Sequence, residues 1–368
     1  MDVYVLDSSF EPVAVIDTFK SLIWTKRYYT CGDFELYVPA DDSLLPYIQP
    51  DYFLIRDDDE SVMVIEKLAI QTDVENGDFF IISGRSLESI LTRRVLTSQI
   101  SLNDISPILG IQELVRRCTT GTYRAIPNLS VDTSLSVSET FTAQFTGNVL
   151  LDAISTICMR FGIGLKMTLS GSNMTLSFYQ GQEVDVIFSQ EFDNLINSNY
   201  VFDYTNYANF AHVAGEGEGL SRRGIGITLQ GFYSSGLQHR EIYVDARDLS
   251  SNNGEIADAE YVSMLQERGK EKLADEHSVT ESFEAEIEPQ TSFVYKTDYN
   301  LGDIVTVTNE YGVTAKPRII EIIESWSDTG YTAIPTFDAL EVASPTMLRD
   351  SEGFILRDST GAIITVKE

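Results

Sequence analysis

Positive charge is what this chain has least of. It sets 26 lysines and arginines against 56 aspartates and glutamates, a formal net charge of −30. Charged residues make up 22% of it, slightly under the usual quarter, so the acidity comes from missing bases and not from crowded acids. Non-specific attraction to nucleic acid or to anionic membrane is excluded, since both need positive surface. An acidic disordered tail is excluded too, because such tails lack aromatics and this chain has 18 Tyr and 19 Phe. Cysteine is scarce: Cys31, Cys118 and Cys158 are odd in number, far apart and without a CxxC pair. That argues against a disulfide framework or structural zinc site, and for buried free thiols in a chain that folds in a reducing cytosol. There are three histidines (His212, His239, His277), none at ligand spacing, and no HExxH. Neither a metal centre nor a cysteine-peptidase or zinc-amidase reading gains support. No apolar run approaches the ~20 residues of a membrane helix. Met1-Asp2-Val3 opens on an acid and leads straight into a strand pattern, unlike a secretory leader.

What is present is enough apolar material, 43% of 368 residues, for two or three domain cores. Short strands with tight punctuation fill the first ninety residues: Val3 to Leu6, Val13 to Ile16, Leu22 to Trp24, then Phe34, Leu36 and Val38 alternating with Asp33, Glu35 and Tyr37. Tyr52–Arg56 and Ser61–Ile70 flank the acidic tip Asp57-Asp58-Asp59-Glu60, and Glu75-Asn76-Gly77-Asp78 is a turn before Phe79–Ile82. This spacing predicts a small barrel or sandwich. After Gly84 the period changes. Ser106-Pro107 signals a helix start, with Ile108, Ile111, Leu114, Val115 and Cys118 on one stripe. A second helix is expected from about Asn148 to Gly162, with the Ser/Thr-rich stretch between the two irregular or at a sheet edge.

From Leu165 the strands return as a hairpin around Ser170-Gly171-Ser172-Asn173, followed by the aromatic-rich stretch 201–213. Strands are expected at Gly226–Tyr233 and Arg240–Val244, then a helix over 256–277 with Tyr261, Leu265, Gly269 and Leu273 spaced four apart. Phe283–Ile287, Asp303–Thr308, Ile319–Trp326 and Tyr331–Ile334 complete a second β region. At the end, Leu348-Arg349-Asp350-Ser351-Glu352-Gly353-Phe354-Ile355 is echoed by Leu356-Arg357-Asp358-Ser359-Thr360-Gly361-Ala362-Ile363. Asp-Ser-x-Gly is turn chemistry, so this repeat is expected to be a β meander that packs on a neighbour or on copies of itself. The expected class is mainly β with an α+β insertion. Its divisions are 1–95 (first β domain), 96–190 (helical/β insertion), 191–344 (second β domain with the 256–277 helix) and 345–368 (the repeat).

No constellation specifies a catalyst, a metal or a cofactor. Asp57, Asp58, Asp59 and Glu60 lack the alternation and central glycine of a calcium loop and are expected at a solvated hairpin tip. Glu281, Glu284, Glu286 and Glu288 lie beside Phe283, Ala285 and Ile287, an expected polar strand face. Glu216 and Glu218 punctuate the loop Gly215–Gly219, which precedes Arg222-Arg223 and a strand, not the helix that a phosphate cradle requires. These ten acids are the candidates for an acidic lumen or interface. Carboxylate pairs suited to glycoside hydrolysis cannot be picked from 56 acids without geometry.

Leu22-Ile23-Trp24-Thr25-Lys26-Arg27-Tyr28-Tyr29-Thr30-Cys31-Gly32-Asp33-Phe34-Glu35-Leu36-Tyr37-Val38-Pro39 resembles the opening of the siphophage tail-hub family, a Trp…Tyr…Gly-x-Phe-Glu-Leu strand pair. Val244-Asp245-Ala246-Arg247-Asp248, Leu265-Gln266-Glu267-Arg268-Gly269 and Tyr299-Asn300-Leu301-Gly302-Asp303-Ile304-Val305 follow in the family's order. The resemblance spans roughly residues 1–340. It implies a central baseplate-hub protein at a virion tail tip, made in the host bacterial cytoplasm. It also implies two β-barrel domains similar to the tube subunit, so that a homotrimer matches a six-fold tube to a three-fold tip. Implied partners are tail-tube subunits, a distal tail protein, a tape-measure protein and a fibre or tip protein at the repeat, with no specific nucleic-acid binding and no stable membrane insertion. Acidic walls would then suit a DNA conduit, since they repel phosphates within about 8 Å at physiological salt. Two other readings are a host-surface carbohydrate-binding or adhesin module, suggested by the aromatic stretch Tyr200–Phe210, and a virion-associated cell-wall hydrolase. Many family relatives continue into a long fibre or a peptidoglycan-hydrolase region after the hub, and this sequence shows only the short repeat there.

Overall fold

The computed structural model describes residues 1–72, 77–192, 194–229, 235–287, 293–308 and 314–338, and the pairs 346–347 and 365–366. The first 86 residues form β1 (Val3–Leu6), β2 (Pro12–Ile16), β3 (Ser21–Arg27), β4 (Asp33–Pro39), β5 (Phe53–Arg56), β6 (Val62–Gln71) and β7 (Phe79–Ser86). A 3-10 helix, Leu87–Arg93, leads into β8 (Ile100–Ile105), α1 (Pro107–Cys118), β9 (Leu129–Val131), β10 (Phe141–Phe145), α2 (Leu150–Arg160), β11 (Gly164–Ser170) and β12 (Asn173–Tyr179). Then come β13 (Glu183–Ser189), β14 (Leu195–Asp203), β15 (Phe210–Ala214), β16 (Gly224–Ile227), β17 (Glu241–Asp245), α3 (Asp258–Asp275), β18 (Thr280–Ile287), β19 (Ile304–Thr308), β20 (Thr314–Ala315), β21 (Ile319–Ser327) and β22 (Gly330–Phe337).

The mainly β reading holds, and most elements fall where the hydrophobic period put them. Every residue of the α1 stripe is buried, and so are Tyr261, Leu265 and Leu273 of α3. Ser106 does occupy the position before α1, yet its hydroxyl caps nothing; Pro107 starts the helix through its fixed φ. The expected irregular stretch contains β9, a parallel edge strand on β12, and β10, which pairs with β8. All three cysteines are free and buried. Thr346–Met347 pairs antiparallel with Thr365–Val366, while the eight-residue repeat between them lies outside the described residues.

The large sheet runs β2-β1-β5-β6-β7-β4-β3-β21-β22. Its last two strands come from the far end of the chain: β21 pairs antiparallel with β3, Glu324 opposite Trp24. Period grouping had placed 319–334 with the second β region, because a period shows which face of a strand is apolar and not which strand it joins. Along β6 the period of two splits the side chains between two cores. Met63 and Ile65 join Trp24, Phe34 and Leu36, while Val62 and Val64 join Leu6, Phe53 and the helices α1 and α2. The sheet is curled. β5 and β3 are separated by three strands in the order, yet Arg56 of β5 lies 5.3 Å from the Trp24 ring of β3 and 4.1 Å from Trp326 of β21. The hydrogen-bonded order is nevertheless open, ending at β2 and β22. The second β region consists of small sheets, β13-β19-β20, β14-β18 and β16-β15-β17, the last packed under α3.

Tyr28, fully buried just after β3, ties these regions together. Its N–H donates to the Ile320 carbonyl of β21 (2.8 Å), and its carbonyl accepts the Leu165 N–H of β11 (2.9 Å). Its hydroxyl donates to the Gly162 carbonyl (3.0 Å) and accepts the Gly181 N–H (3.1 Å). The ring lies so close to Gly164 and Gly302 that a Cβ on either would sit 2.2 Å from it, and Gly302 has φ +97°. Tyr28→Phe should therefore cost about 1–2 kcal/mol by orphaning two partly buried backbone groups. Gly302→Ala should cost about 3 kcal/mol or more through overpacking and backbone strain. Urea midpoints of the two variants check both, and a neutral Tyr28→Phe would remove the hydroxyl from this role.

Candidate functional site

Where the β5–β6 corner meets β3 and β21, the curl is clasped by charge. Arg56, its side chain 0% exposed, grips Asp58 with two bonds of 2.8 Å and reaches Glu324 at 3.4 Å. Lys26 pairs with Asp59 and lies 3.5 Å from Glu324; Lys296 pairs with Asp59 at 2.8 Å. The Ser61 hydroxyl donates to Asp59 and accepts the Trp24 indole N–H at 2.9 Å, and Tyr331 donates to Glu324 at 3.1 Å. Three cations thus face three carboxylates, with the Asp59 and Glu324 side chains 4% and 1% exposed. Burial by itself would raise the Asp59 pKa; Lys26 first, then Lys296 and Ser61, override it and hold the carboxyl well below the usual range. Asp57, Asp58 and Glu60 are exposed as expected of a tip. Asp59 is not, because its neighbours turn it inward.

Beside the clasp opens a cavity of about 710 Å³, walled by Met63, Leu165, Met167, Tyr179 and Tyr295 and rimmed by Asp57–Glu60 and Lys166. Glu88, from the 3-10 helix, is part of its lining and only 9% exposed. Its Oε1 accepts the Met167 N–H at 2.6 Å. Burial pushes its carboxyl pKa up, against hydrogen bonds from Ser86 and from backbone N–H groups.

The other candidates stand elsewhere. Glu216 accepts the Ser251 N–H (3.0 Å), and its own N–H donates to Tyr261, so it shapes its loop; Glu218 is exposed. Arg222 bends back onto the Gly215 and Ala214 carbonyls, and a strand follows, which leaves no helix N-terminus for a phosphate. On β18 the register opposes Glu281 to Phe202, Glu284 to Asn199 and Glu286 to Asn197. That places Glu281 at an odd position with Phe283, out of phase with Glu284 and Glu286. Nothing is described of the three side chains, and Glu288 lies outside the described residues. Among the described residues no cluster of His, Cys, Asp or Glu could hold a metal, and no helix is long and apolar enough to cross a membrane.

Sequence reasoning missed Lys26, Lys296, Glu324 and Glu88. One signal was readable: in Ile322-Ile323-Glu324-Ser325-Trp326, the acid has the same parity as the buried Ile322. The segments that carried the family resemblance turn out to be joints. Tyr28 of the first packs on Gly302 of the last. The Asp303 carboxylate accepts the N–H groups of Gln182 and Asn300, both at 2.8 Å. Asp248 and Arg268, from the two middle segments, pair through two bonds of 2.9 and 3.0 Å.

This curled sheet with its inserted helices and trailing small sheets is the fold of known tail proteins. The prophage tail protein gp18 from Listeria monocytogenes EGD-e matches with a TM-score of 0.56 at 12% identity, covering 93% of this chain and 96% of that one. The 43 kDa tail protein of prophage MuSo2 from Shewanella oneidensis matches at 0.55 and 14%, covering 92% and 98%. A tail protein from Neisseria meningitidis MC58 matches at 0.54 and 12%, covering 92% and 95%. At such identities the likeness is one of fold. Residues 2–337 match the family described as Siphovirus ReqiPepy6 Gp37-like protein, and the chain belongs to that family. No curated protein matches.

The clasp predicts an acid sensitivity of definite sign. A carboxyl whose folded pKa is depressed stabilises the fold above its unfolded value, near 3.8 here, and that stabilisation is lost as pH falls through the folded value. Asp59→Asn should cost about 1–3 kcal/mol near neutral pH, mainly by leaving the partly buried Lys26 underpaired, since Lys296 is exposed enough to be solvated. It should also flatten the decline of the urea midpoint as pH falls from about 5 to 2, the range that begins just above the unfolded value. An unchanged slope would mean that other carboxylates govern acid unfolding.

Proposed function

We propose that this protein is a structural component of a phage tail, a trimeric tail-tip hub that joins the six-fold tube to the three-fold tip, lines part of the DNA conduit and performs no catalysis. The observation that carries this reading is the end-to-end match: three tail proteins share the fold over 92–93% of this chain and 95–98% of their own. Family membership over residues 2–337 supports the same class. In this reading the curled sheet and the second β region are the two tube-like barrels, and 345–368 receive a fibre or tip protein; the insertion between the barrels runs from residue 96 only to the end of β12, short of the expected 190, because β13 pairs with β19. The distal tail and tape-measure proteins are the neighbours above. The place of action is the virion tail tip, after assembly in the bacterial cytoplasm.

The acidic conduit follows from the −30 charge and is proposed for the exposed candidates, Asp57, Asp58, Glu60 and Glu218, together with Glu281, Glu284, Glu286 and Glu288. The adhesin reading stands second: within its aromatic stretch Tyr204 and Tyr207 stack on each other at 4.3 Å with Arg240 over Tyr204 at 4.5 Å, and Tyr204 is 40% exposed. Light scattering of the purified chain should give three times the monomer mass. A three-fold reconstruction should place acids on the bore in excess over the outer surface. A monomer both alone and with the distal tail protein would sink the hub reading, and evenly spread acids would sink the conduit.

A further inference from the structure

Glu88 is the buried acid that the clasp does not account for. Asp59 and Glu324 have cations against them; among the described residues no cation pairs with Glu88, whose neighbours are Ser86 and backbone N–H groups. A buried carboxyl without a counter-ion is expensive, and this one lines a cavity whose volume falls within the range of small-ligand sites.

The charges around the cavity select the sign of an occupant. Lys26 and Lys296 are taken by Asp59 and Glu324, and Arg27 by Asp33 and Glu321. Of the basic side chains lining the cavity this leaves Lys166, half exposed at the rim, 3.7 Å from Glu60. An anion entering the cavity finds its cations engaged, whereas a cation finds Glu88 in the wall and Asp57 at the mouth, with Glu60 shared with Lys166. A bare metal ion is a poor fit, since hard cations need several converging oxygens and the described residues hold no such cluster. Leu165, Met167, Met63 and Leu301 contribute apolar surface to the lining beside hydroxyl groups such as Thr25 and Thr168, and that apolar part suits an aliphatic stem.

We propose that this cavity binds an organic cation, an ammonium or guanidinium on an aliphatic stem, with Glu88 as its counter-ion. The cation comes either from a free alkylamine or from a basic side chain of a neighbouring polypeptide.

Calorimetric titration of the full chain with 1,5-diaminopentane and, separately, with a capped Gly-Lys-Gly peptide tests it. Saturable binding of either supports the site: the diamine alone points to a free amine, the peptide to a polypeptide-borne cation. Glu88→Gln, which keeps the size and can still accept the Met167 N–H, should weaken binding about tenfold or more, as expected for loss of a buried charge-assisted bond. Glu60→Gln at the exposed rim should change it by about twofold or less. A thermal melt of Glu88→Gln like that of the parent excludes misfolding as the cause. If neither probe binds at millimolar concentration, or if Glu88→Gln binds as well as the parent, the proposal is overturned.

Discussion

A sheet that curls without closing must hold its facing parts together with side chains, and the rest of this fold depends on that clasp. The β5–β6 corner meets β3 and β21 across the roll with no backbone ladder between them. Arg56, Lys26 and Lys296 against Asp58, Asp59 and Glu324 do the joining, with Arg56 laid between two tryptophan rings. Balanced charge is what makes such burial tolerable: an ion in the interior costs several kcal/mol unless opposite charge and hydrogen bonds meet it. The clasp also draws in Lys296 from outside the sheet, and so ties the segment before β19 to the roll.

Tyr28 performs the apolar counterpart of this joining. The clasp works at the seam, and Tyr28 works where the end of β3, the insertion and the approach to β19 converge. Its ring needs glycine on two sides, which explains why Gly164 and Gly302 sit where they do. Within the sequence segments that carried the family resemblance, the structure shows such joints and the Asp248–Arg268 pair.

The charge deficit divides into two parts. Some acids, Asp59, Glu324 and Glu216 among them, are used in holding the fold. The exposed ones, including Asp57, Glu60 and Glu218, repel phosphates and one another. Glu88 also holds the fold, through the Met167 N–H, but unlike Asp59 and Glu324 it does so with hydrogen bonds and no paired cation among the described residues.

Local features were legible before any coordinates. Strand and helix periods, the Pro107 start, the hairpin at Gly171 and the burial of the three cysteines all follow from near neighbours in the chain. Partners distant in the chain were not legible. The periodicity of Ile319–Trp326 announced a half-buried strand, but only folding laid it beside β3. Asp59 read as one acid among four on a tip, and only Lys26 and Lys296, 33 and 237 residues away, turned it inward. The sequence by itself determined secondary structure, apolar faces and the sign of the molecule's field, because these depend on side-chain type and spacing. Tertiary structure alone decided which charges are consumed and which remain available, because a charge in a low-dielectric interior is governed by what lies within a few ångströms, whatever the separation along the chain.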